Sequence, residues 1–203
     1  MNYGSMFKVV TLNEGAMKMI DKALTSKELE PAEASLVQGS QYQEDVRKST
    51  NTWVQDTDVI KMFGDIVLEV NRAARWNLNI VGCEAIQYAT YTEGDYFKWH
   101  VDQFPEVENN VTRKISMSLF LSNPDEYEGG ELDLEVYGPE AHPERHKTFR
   151  CLKGEALFFQ SDYWHRVRPV KSGVRKSLVA WFFGPPFDKS TIDFAPHFNV
   201  NSV

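Results

Sequence analysis

The stretch that most constrains this chain runs from Tyr91 to Asp102 and ends in His100-Val-Asp102. In a β-strand, side chains two positions apart point to the same face, so His100 and Asp102 would project together. An imidazole and a carboxylate side by side supply two ligands for a metal ion. A second histidine from elsewhere would complete the two-histidine, one-carboxylate set that leaves positions on an octahedral Fe(II) ion open. The pair alone recurs by chance, so its meaning depends on the rest of the chain.

The third ligand has to come from one of the four other histidines. His165 follows an aromatic approach to a predicted strand, which would set it opposite His100 across the mouth of a barrel. His142 and His146 are four residues apart and could act together on a helix, but an intervening proline and charged neighbours favour a solvated loop. His197 lies in a polar tail. We therefore predict that His165 is the third ligand.

A candidate anion anchor, Arg175, stands ten residues beyond His165 at the start of an otherwise apolar strand. A guanidinium there is costly to bury without an anion, and it offers a planar fork that matches a carboxylate. Ser177 shares its face by the two-residue period and could add a hydrogen bond. Arg175 could also simply mark an exposed strand start. Taken with His100, Asp102 and His165, the anchor is the better interpretation.

Two amphipathic segments precede a run of short strands. A capping-box pattern at Thr11–Glu14 predicts a short helix, and apolar residues at helical spacing predict a longer one from Asp56 to about Trp76. From Cys83 onward, short apolar and alternating segments are separated by turn-rich ones. This pattern predicts a mainly β fold with flanking helices, in the form of a sandwich or a jelly roll.

The length of 203 residues is most economically a single domain, spanning residues 1–203. We expect residues 1–80 to form a helical N-terminal support and residues 81–185 to form the jelly-roll core. Residues 186–203 are expected to be a tail.

Charge and composition weigh against several other classes of protein. The formal net charge of -7 argues against nucleic-acid binding, which depends on neutralising phosphates. No apolar run approaches the roughly 20 residues that span a bilayer, and the first residues lack a signal-peptide pattern, so no membrane partner is expected. The two cysteines argue against a disulfide framework and favour the reducing cytoplasm.

Together these motifs resemble those of the Fe(II)- and 2-oxoglutarate-dependent dioxygenases, most of all the prolyl 4-hydroxylase branch, over about residues 83–184. In that branch a Tyr-x-x-Gly-x-x-aromatic-x-x-His-x-Asp run contains the first two ligands, and a Gly-Gly-Glu turn follows a long strand. A basic residue stands ten positions after the second histidine. The matching residues here are Tyr91, Gly94, Phe97, His100, Asp102, Gly129, Gly130, Glu131, His165 and Arg175. Animal and plant prolyl 4-hydroxylases usually have lysine at the position of Arg175, whereas other members of the superfamily have arginine.

The resemblance implies a double-stranded β-helix (jelly-roll) core with the N-terminal helices packed on one face. It also implies that the protein is an enzyme that binds Fe(II), uses 2-oxoglutarate and O2 as co-substrates, and takes ascorbate as a reductant. The implied metal ligands are His100, Asp102 and His165, which with Arg175 form the catalytic set. The side chains implied to contact 2-oxoglutarate are Arg175, Tyr91, Ser116 and Ser177.

The implied activity is hydroxylation of a C–H bond, on a prolyl residue of a peptide or protein, with release of succinate and CO2. The substrate would lie under loops expected at residues 103–112 and 137–147. The same chemistry on a small molecule or another amino acid is an alternative, and the acidic charge disfavours an alkylated base. A jelly-roll metal or ligand sensor without turnover is a third hypothesis, which the completeness of the motifs disfavours.

Overall fold

The computed structural model describes residues 5–25, 30–32, 46–103, 110–136 and 145–186. These ranges contain the helices α1 (Glu14–Thr25) and α2 (Thr57–Ala73). Their strands are β1 (Phe7–Thr11), β2 (Glu30–Ala32), β3 (Arg47–Lys48), β4 (Thr50–Val54), β5 (Gly82–Cys83), β6 (Ile86–Tyr91), β7 (Tyr96–His100), β8 (Thr112–Phe120), β9 (Tyr127–Gly129), β10 (Leu132–Glu135), β11 (His146–Phe149), β12 (Glu155–Gln160), β13 (His165–Val167), β14 (Val170–Gly173) and β15 (Arg175–Gly184). Within these ranges, no helix has the length and apolar character needed to cross a membrane.

Two antiparallel sheets form the body of the protein. The larger has the strand order β1-β12-β8-β15-β6-β4-β2, with β5 added on β15, and the smaller has the order β11-β10-β13-β7-β3. A separate pair, β14 and β9, completes the pairing among the described residues. The predicted mainly β fold with a jelly-roll core is confirmed.

Strand β8, which lies between β12 and β15, shows how the alternating sequence pattern becomes two buried faces. Ile115 and Leu119 belong to the hydrophobic cluster that includes the buried side chains of the two helices. Phe120 packs instead with Leu132 and Leu134 of the smaller sheet. Because side chains alternate along a strand, the residues between the helix-facing ones turn toward the space between the sheets. The strand therefore joins the outer core to the interior of the jelly roll.

Helix α2 covers the outer face of the large sheet. It begins after Asp56, whose carboxylate accepts hydrogen bonds from the backbone N–H groups of Asp58 and Val59, both at 3.0 Å. Its apolar stripe includes Phe63 and Val67, which are fully buried in the same cluster as strands of the large sheet. Burying each such side chain contributes about 1.5–3 kcal/mol. The prediction that the N-terminal helices pack on one face is confirmed.

The N-terminal region differs from the expected helical support because it also contributes strands. β1 pairs with β12, β4 pairs with β6, and β3 pairs with β7. These pairings join segments that are far apart in the sequence. The periodicity of a single segment does not predict which distant strand pairs with it. The loops expected at residues 103–112 and 137–147 fall mostly outside the described residues, as does nearly all of the tail from residue 186.

Candidate metal centre

Strands β7 and β13 bring two histidines and an aspartate together. His100 and His165 are paired residues of these antiparallel strands, and their ring centroids lie 4.0 Å apart. Asp102 follows the end of β7, with Oδ1 3.7 Å from Nε2 of His100 and Oδ2 3.4 Å from Nε2 of His165. One ligand atom from each residue lies within 4.8 Å of the others. The three residues could therefore hold one metal ion.

Backbone contacts determine which ring nitrogen of each histidine faces this point. Nδ1 of His100 lies 2.8 Å from the carbonyl oxygen of Lys98, and Nδ1 of His165 lies 3.0 Å from that of Tyr163. Because a carbonyl only accepts, each neutral imidazole carries its hydrogen on Nδ1 and donates it there. Both Nε2 atoms are thereby left with lone pairs beside Asp102, which is the orientation of metal-ligating histidines.

The pKa shifts of His100 and Asp102 favour the protonation states that bind a metal ion. Burial and, after it, the neighbouring His165 lower the pKa of His100 to about 3, against the raising effect of Asp102. Burial raises the pKa of Asp102, but His165, His100 and a hydrogen bond from Ser116 bring it below its usual value. A neutral imidazole and an ionised carboxylate are the forms that bind metal.

The ring of His100 also has an aromatic support. Phe97 lies flat against it, with ring centroids 3.5 Å apart and planes inclined by 14°. The guanidinium carbon of Arg47 lies 4.7 Å from the centroid of the Phe97 ring. Phe97 was singled out as part of the motif, but its contact with His100 was not predicted.

One cavity between the two sheets is lined both by the three potential ligands and by Arg175. Besides the ligands, its polar lining residues are Arg47, Gln87, Tyr91, Ser118, Arg175 and Ser177. Apolar side chains, among them Phe159, Val167 and Trp181, form most of the remaining wall. A cationic side chain and a potential metal centre therefore share one cavity.

Arg175 is the most unusual residue of this cavity, because it is 1% exposed. Its Nη1 donates to the hydroxyl of Ser177 at 3.0 Å, while Nε and Nη2 have no hydrogen-bond partner among the described residues. A buried guanidinium with two unsatisfied nitrogens is costly without an anion. The residue thus fits the predicted role of anchoring a carboxylate, and the nitrogen and oxygen ligands fit Fe(II).

Tyr91 lies beside this arginine on the neighbouring strand. The two residues pair across β6 and β15, and the guanidinium carbon of Arg175 is 5.3 Å from the Tyr91 ring centroid. The Tyr91 hydroxyl accepts from Nη2 of Arg47 at 3.4 Å. That nitrogen also donates to side-chain oxygens of Asn51 at 2.6 Å and Gln87 at 2.7 Å. Arg47 was not predicted as a site residue, because 40 residues separate it from Gln87 and no local pattern links them.

Ser116 contacts Asp102. Its hydroxyl donates to Oδ2 of Asp102 at 2.6 Å, and it is not among the residues that line the cavity. Ser177 lines the cavity. Ser116 therefore contacts a potential metal ligand, whereas Ser177 contacts the potential anion anchor.

His146, the other histidine among the described residues, does not join the cluster. His146 begins strand β11 instead of lying in a solvated loop, and its Nε2 is 3.8 Å from Oδ1 of Asp133. His142 and His197 lie outside the described residues. In the part of the chain that the structure describes, His100, Asp102 and His165 are the one group of three or more such residues with metal-binding geometry.

Comparison of the sequence with known families gives a match over the same region. Residues 86–183 match the model of the 2OG-Fe(II) oxygenase superfamily. A PKHD-type hydroxylase from Idiomarina loihiensis is 37% identical over 91 residues, which are 45% of this chain and 38% of that relative. The alignment thus spans well under half the length of this curated relative.

Solved structures show the same fold at low identity. A prolyl-4-hydroxylase from Pseudomonas putida superposes with a TM-score of 0.62 and 18% identity, covering 87% of this chain and 91% of that one. A prolyl hydroxylase from Trichoplax adhaerens, in complex with a hypoxia inducible factor peptide fragment, superposes with a TM-score of 0.61 and 18% identity, covering 88% and 83%. At these identities the likeness bears on the fold alone.

Proposed function

We propose that the chain is a member of the 2OG-Fe(II) oxygenase superfamily, whose model matches residues 86–183, and that it hydroxylates a prolyl residue of a peptide or protein. The observation that carries the proposal is that one cavity is lined both by three residues whose potential ligand atoms lie within 4.8 Å of one another and by a buried, partly unsatisfied guanidinium. A metal ion would bind the three potential ligands, and the carboxylate of a co-substrate would satisfy the guanidinium.

His100, Asp102 and His165 would hold Fe(II) through two Nε2 atoms and a carboxylate oxygen. When bound, Fe(II), 2-oxoglutarate and O2 supply the oxidising chemistry that adds one oxygen atom to the substrate and converts 2-oxoglutarate to succinate and CO2. The backbone carbonyls that accept from the two Nδ1 atoms keep the imidazoles oriented. Each imidazole would thus present its Nε2 atom to the metal.

Arg175 would bind the far carboxylate of 2-oxoglutarate. Its Nε and Nη2 are two donors without partners among the described residues, which suits a planar carboxylate. Ser177 holds the third guanidinium nitrogen, Nη1, and so limits rotation of the fork. Tyr91, paired with Arg175 across the strands, is proposed to donate its hydroxyl hydrogen to the co-substrate.

Apolar residues around the cavity would limit the access of water. Phe159 is 2% exposed and lies edge-on to His165, with ring centroids 4.7 Å apart. Leu132 and Val167 line the same wall. In a water-poor site the interaction between Arg175 and a carboxylate is stronger than in solution. These side chains would therefore strengthen co-substrate binding without touching its charged groups.

Peptide substrates are supported by what is known of the similar proteins. The curated relative is a hydroxylase, the Pseudomonas putida neighbour is a prolyl-4-hydroxylase, and the Trichoplax adhaerens neighbour holds a peptide fragment.

Ascorbate is proposed as the reductant. The cytoplasm is proposed as the compartment, in keeping with the free thiols of Cys83 and Cys151.

A screen of proline-containing peptides with Fe(II), 2-oxoglutarate, O2 and ascorbate tests the proposal. We expect succinate to form in step with peptides that gain one oxygen atom on proline, detected by mass spectrometry. The Asp102→Ala variant is the matched control and should give neither product. Succinate formed only with small molecules would replace the peptide proposal, and binding of 2-oxoglutarate without any turnover would indicate a sensor.

A further inference from the structure

Two buried serines, neither of them a potential metal ligand, form a chain of hydrogen bonds behind Asp102. Ser116 donates to Oδ2 of Asp102 at 2.6 Å, and the hydroxyl oxygens of Ser116 and Ser161 lie 2.9 Å apart. Each serine is 1% exposed. Ser116 comes from strand β8, while Ser161 directly follows strand β12. The chain therefore links three separate segments of the fold.

The direction of these hydrogen bonds follows from the number of donors. An ionised carboxylate only accepts, so the single hydroxyl hydrogen of Ser116 must point to Asp102. Ser116 then has no hydrogen left for Ser161, and Ser161 must donate to Ser116. Ser161 thus donates to Ser116, and Ser116 donates to Oδ2 of Asp102. This carboxylate oxygen lies 3.4 Å from Nε2 of His165.

The backbone of Ser161 also holds the segment that carries Asp102. Its carbonyl oxygen accepts from the N–H groups of Asp102 at 3.0 Å and Gln103 at 2.9 Å, and its own N–H donates to the carbonyl of Lys114 at 3.0 Å. Asp102 lies beyond the end of β7, so ladder hydrogen bonds do not hold it in place. Its position depends on Ser161 and its orientation on Ser116.

We propose that Ser116 and Ser161 are positioning residues that hold the Asp102 carboxylate in its metal-binding orientation. The inference rests on the proposed function, because it assigns the two hydroxyls a role toward the metal that Asp102 would ligate. It also replaces the implied contact of Ser116 with 2-oxoglutarate. Loss of a partner to a metal ligand typically weakens metal binding about 10- to 100-fold.

Calorimetric titration with Co(II), without 2-oxoglutarate or O2, measures this role independently of turnover. We expect Ser116→Ala to weaken Co(II) binding at least about tenfold and Ser161→Ala to weaken it about fivefold. Because Ser161 acts through Ser116, the double variant should bind Co(II) no more weakly than Ser116→Ala alone. Ser116→Thr keeps the hydroxyl and should restore most of the affinity.

Ser122→Ala is the matched control. Ser122 is also buried and makes two hydrogen bonds, with Val174 and Lys176, but it lies six residues further along the chain. It should leave Co(II) affinity unchanged, and thermal melts should show that all the variants fold.

The outcomes separate the inference from the proposed function. Unchanged Co(II) affinity in Ser116→Ala, with weaker 2-oxoglutarate binding at saturating metal, would overturn the inference and restore the co-substrate contact. Equal losses in Ser116→Ala and Ser122→Ala would also overturn it. Weakened Co(II) binding in a protein that hydroxylates no peptide would leave the positioning role intact and reject the proposed function alone.

Discussion

His100 and His165 are directly paired across the antiparallel strands β7 and β13, with their ring centroids 4.0 Å apart. A shift of this pairing by one residue would turn one of the imidazoles to the opposite face of the smaller sheet. The candidate metal centre therefore depends on the register between two strands whose histidines are 65 positions apart in the sequence.

Replacing either histidine should remove the metal site. We expect His165→Ala to weaken Co(II) binding at least about 100-fold, because loss of a ligand costs no less than loss of its outer partner. Isothermal titration calorimetry measures the change. The control is His146→Gln, which alters a histidine close to Asp133 and outside the cluster. Equal loss in the control would contradict the assignment.

Arg175→Ala should weaken 2-oxoglutarate binding while sparing the metal. Hydrogen bonds to charged groups contribute about 1.5–3 kcal/mol, so we expect a loss of at least tenfold. Arg175→Lys keeps the positive charge but loses the planar guanidinium. Its affinity for 2-oxoglutarate should lie between those of the wild-type protein and Arg175→Ala. Anaerobic titration of the Fe(II) protein, followed by its visible charge-transfer band, gives the affinity. Arg150→Ala, at a partly exposed arginine paired with Glu131, should change nothing in this titration.

Phe97 should contribute to metal affinity through its stack on His100. An aromatic pair contributes about 0.5–1.5 kcal/mol beyond burial, so Phe97→Leu should weaken Co(II) binding about fivefold. Phe97→Tyr retains the ring and serves as the control. If the leucine variant bound Co(II) as tightly as the tyrosine variant, the stack would have no role in holding the imidazole.

Asp133 should stabilise the smaller sheet in a pH-dependent way. Its Oδ2 accepts from Nε of Arg166 at 2.7 Å and from Nε of Arg168 at 2.8 Å, and its Oδ1 accepts from the hydroxyl of Thr148 at 2.7 Å. Burial raises the pKa of Asp133, but the hydrogen bonds from Arg168, Thr148 and Arg166 bring it below its ordinary value. Because the pKa is lower in the folded protein, the stabilisation is present above about pH 4 and is lost as the pH falls through the folded value.

We therefore expect Asp133→Asn to lower the free energy of unfolding by about 2 kcal/mol at pH 7, since the arginines are partly exposed and screened. The deficit should shrink below pH 4. Urea titrations at pH 7 and pH 3.5 measure both values. A deficit of the same size at the two pH values would show that the carboxylate charge is not the cause.

The two cysteines should resist alkylation in the folded protein. Burial raises the pKa of Cys83 to about 12 and that of Cys151 to about 11. Since the thiolate is the reactive form, iodoacetamide at pH 8 should modify both at least about a hundredfold more slowly than in the unfolded chain. Mass spectrometry with and without urea measures the rates. Rapid modification of the folded protein at either residue would contradict this.

Much of the candidate site could be predicted from local spacing. His100 and Asp102 are two residues apart on an extended segment, and Arg175 opens an apolar strand ten residues after His165. The first relationship depends on the two-residue period of a strand, and the second on the cost of burying a guanidinium and on the family resemblance. The fold class followed in the same way, because short alternating segments separated by turns have few stable arrangements.

The sequence by itself therefore determined the kinds of ligand and the mainly β architecture. Only the tertiary structure decided that Ser116 contacts Asp102, that Arg47 meets Gln87, and that strands from the N-terminal region complete the sheets. The physical reason is that periodicity tells which face of a strand a side chain occupies. What lies opposite that face is decided by the register between distant strands, which is set by packing across the whole core.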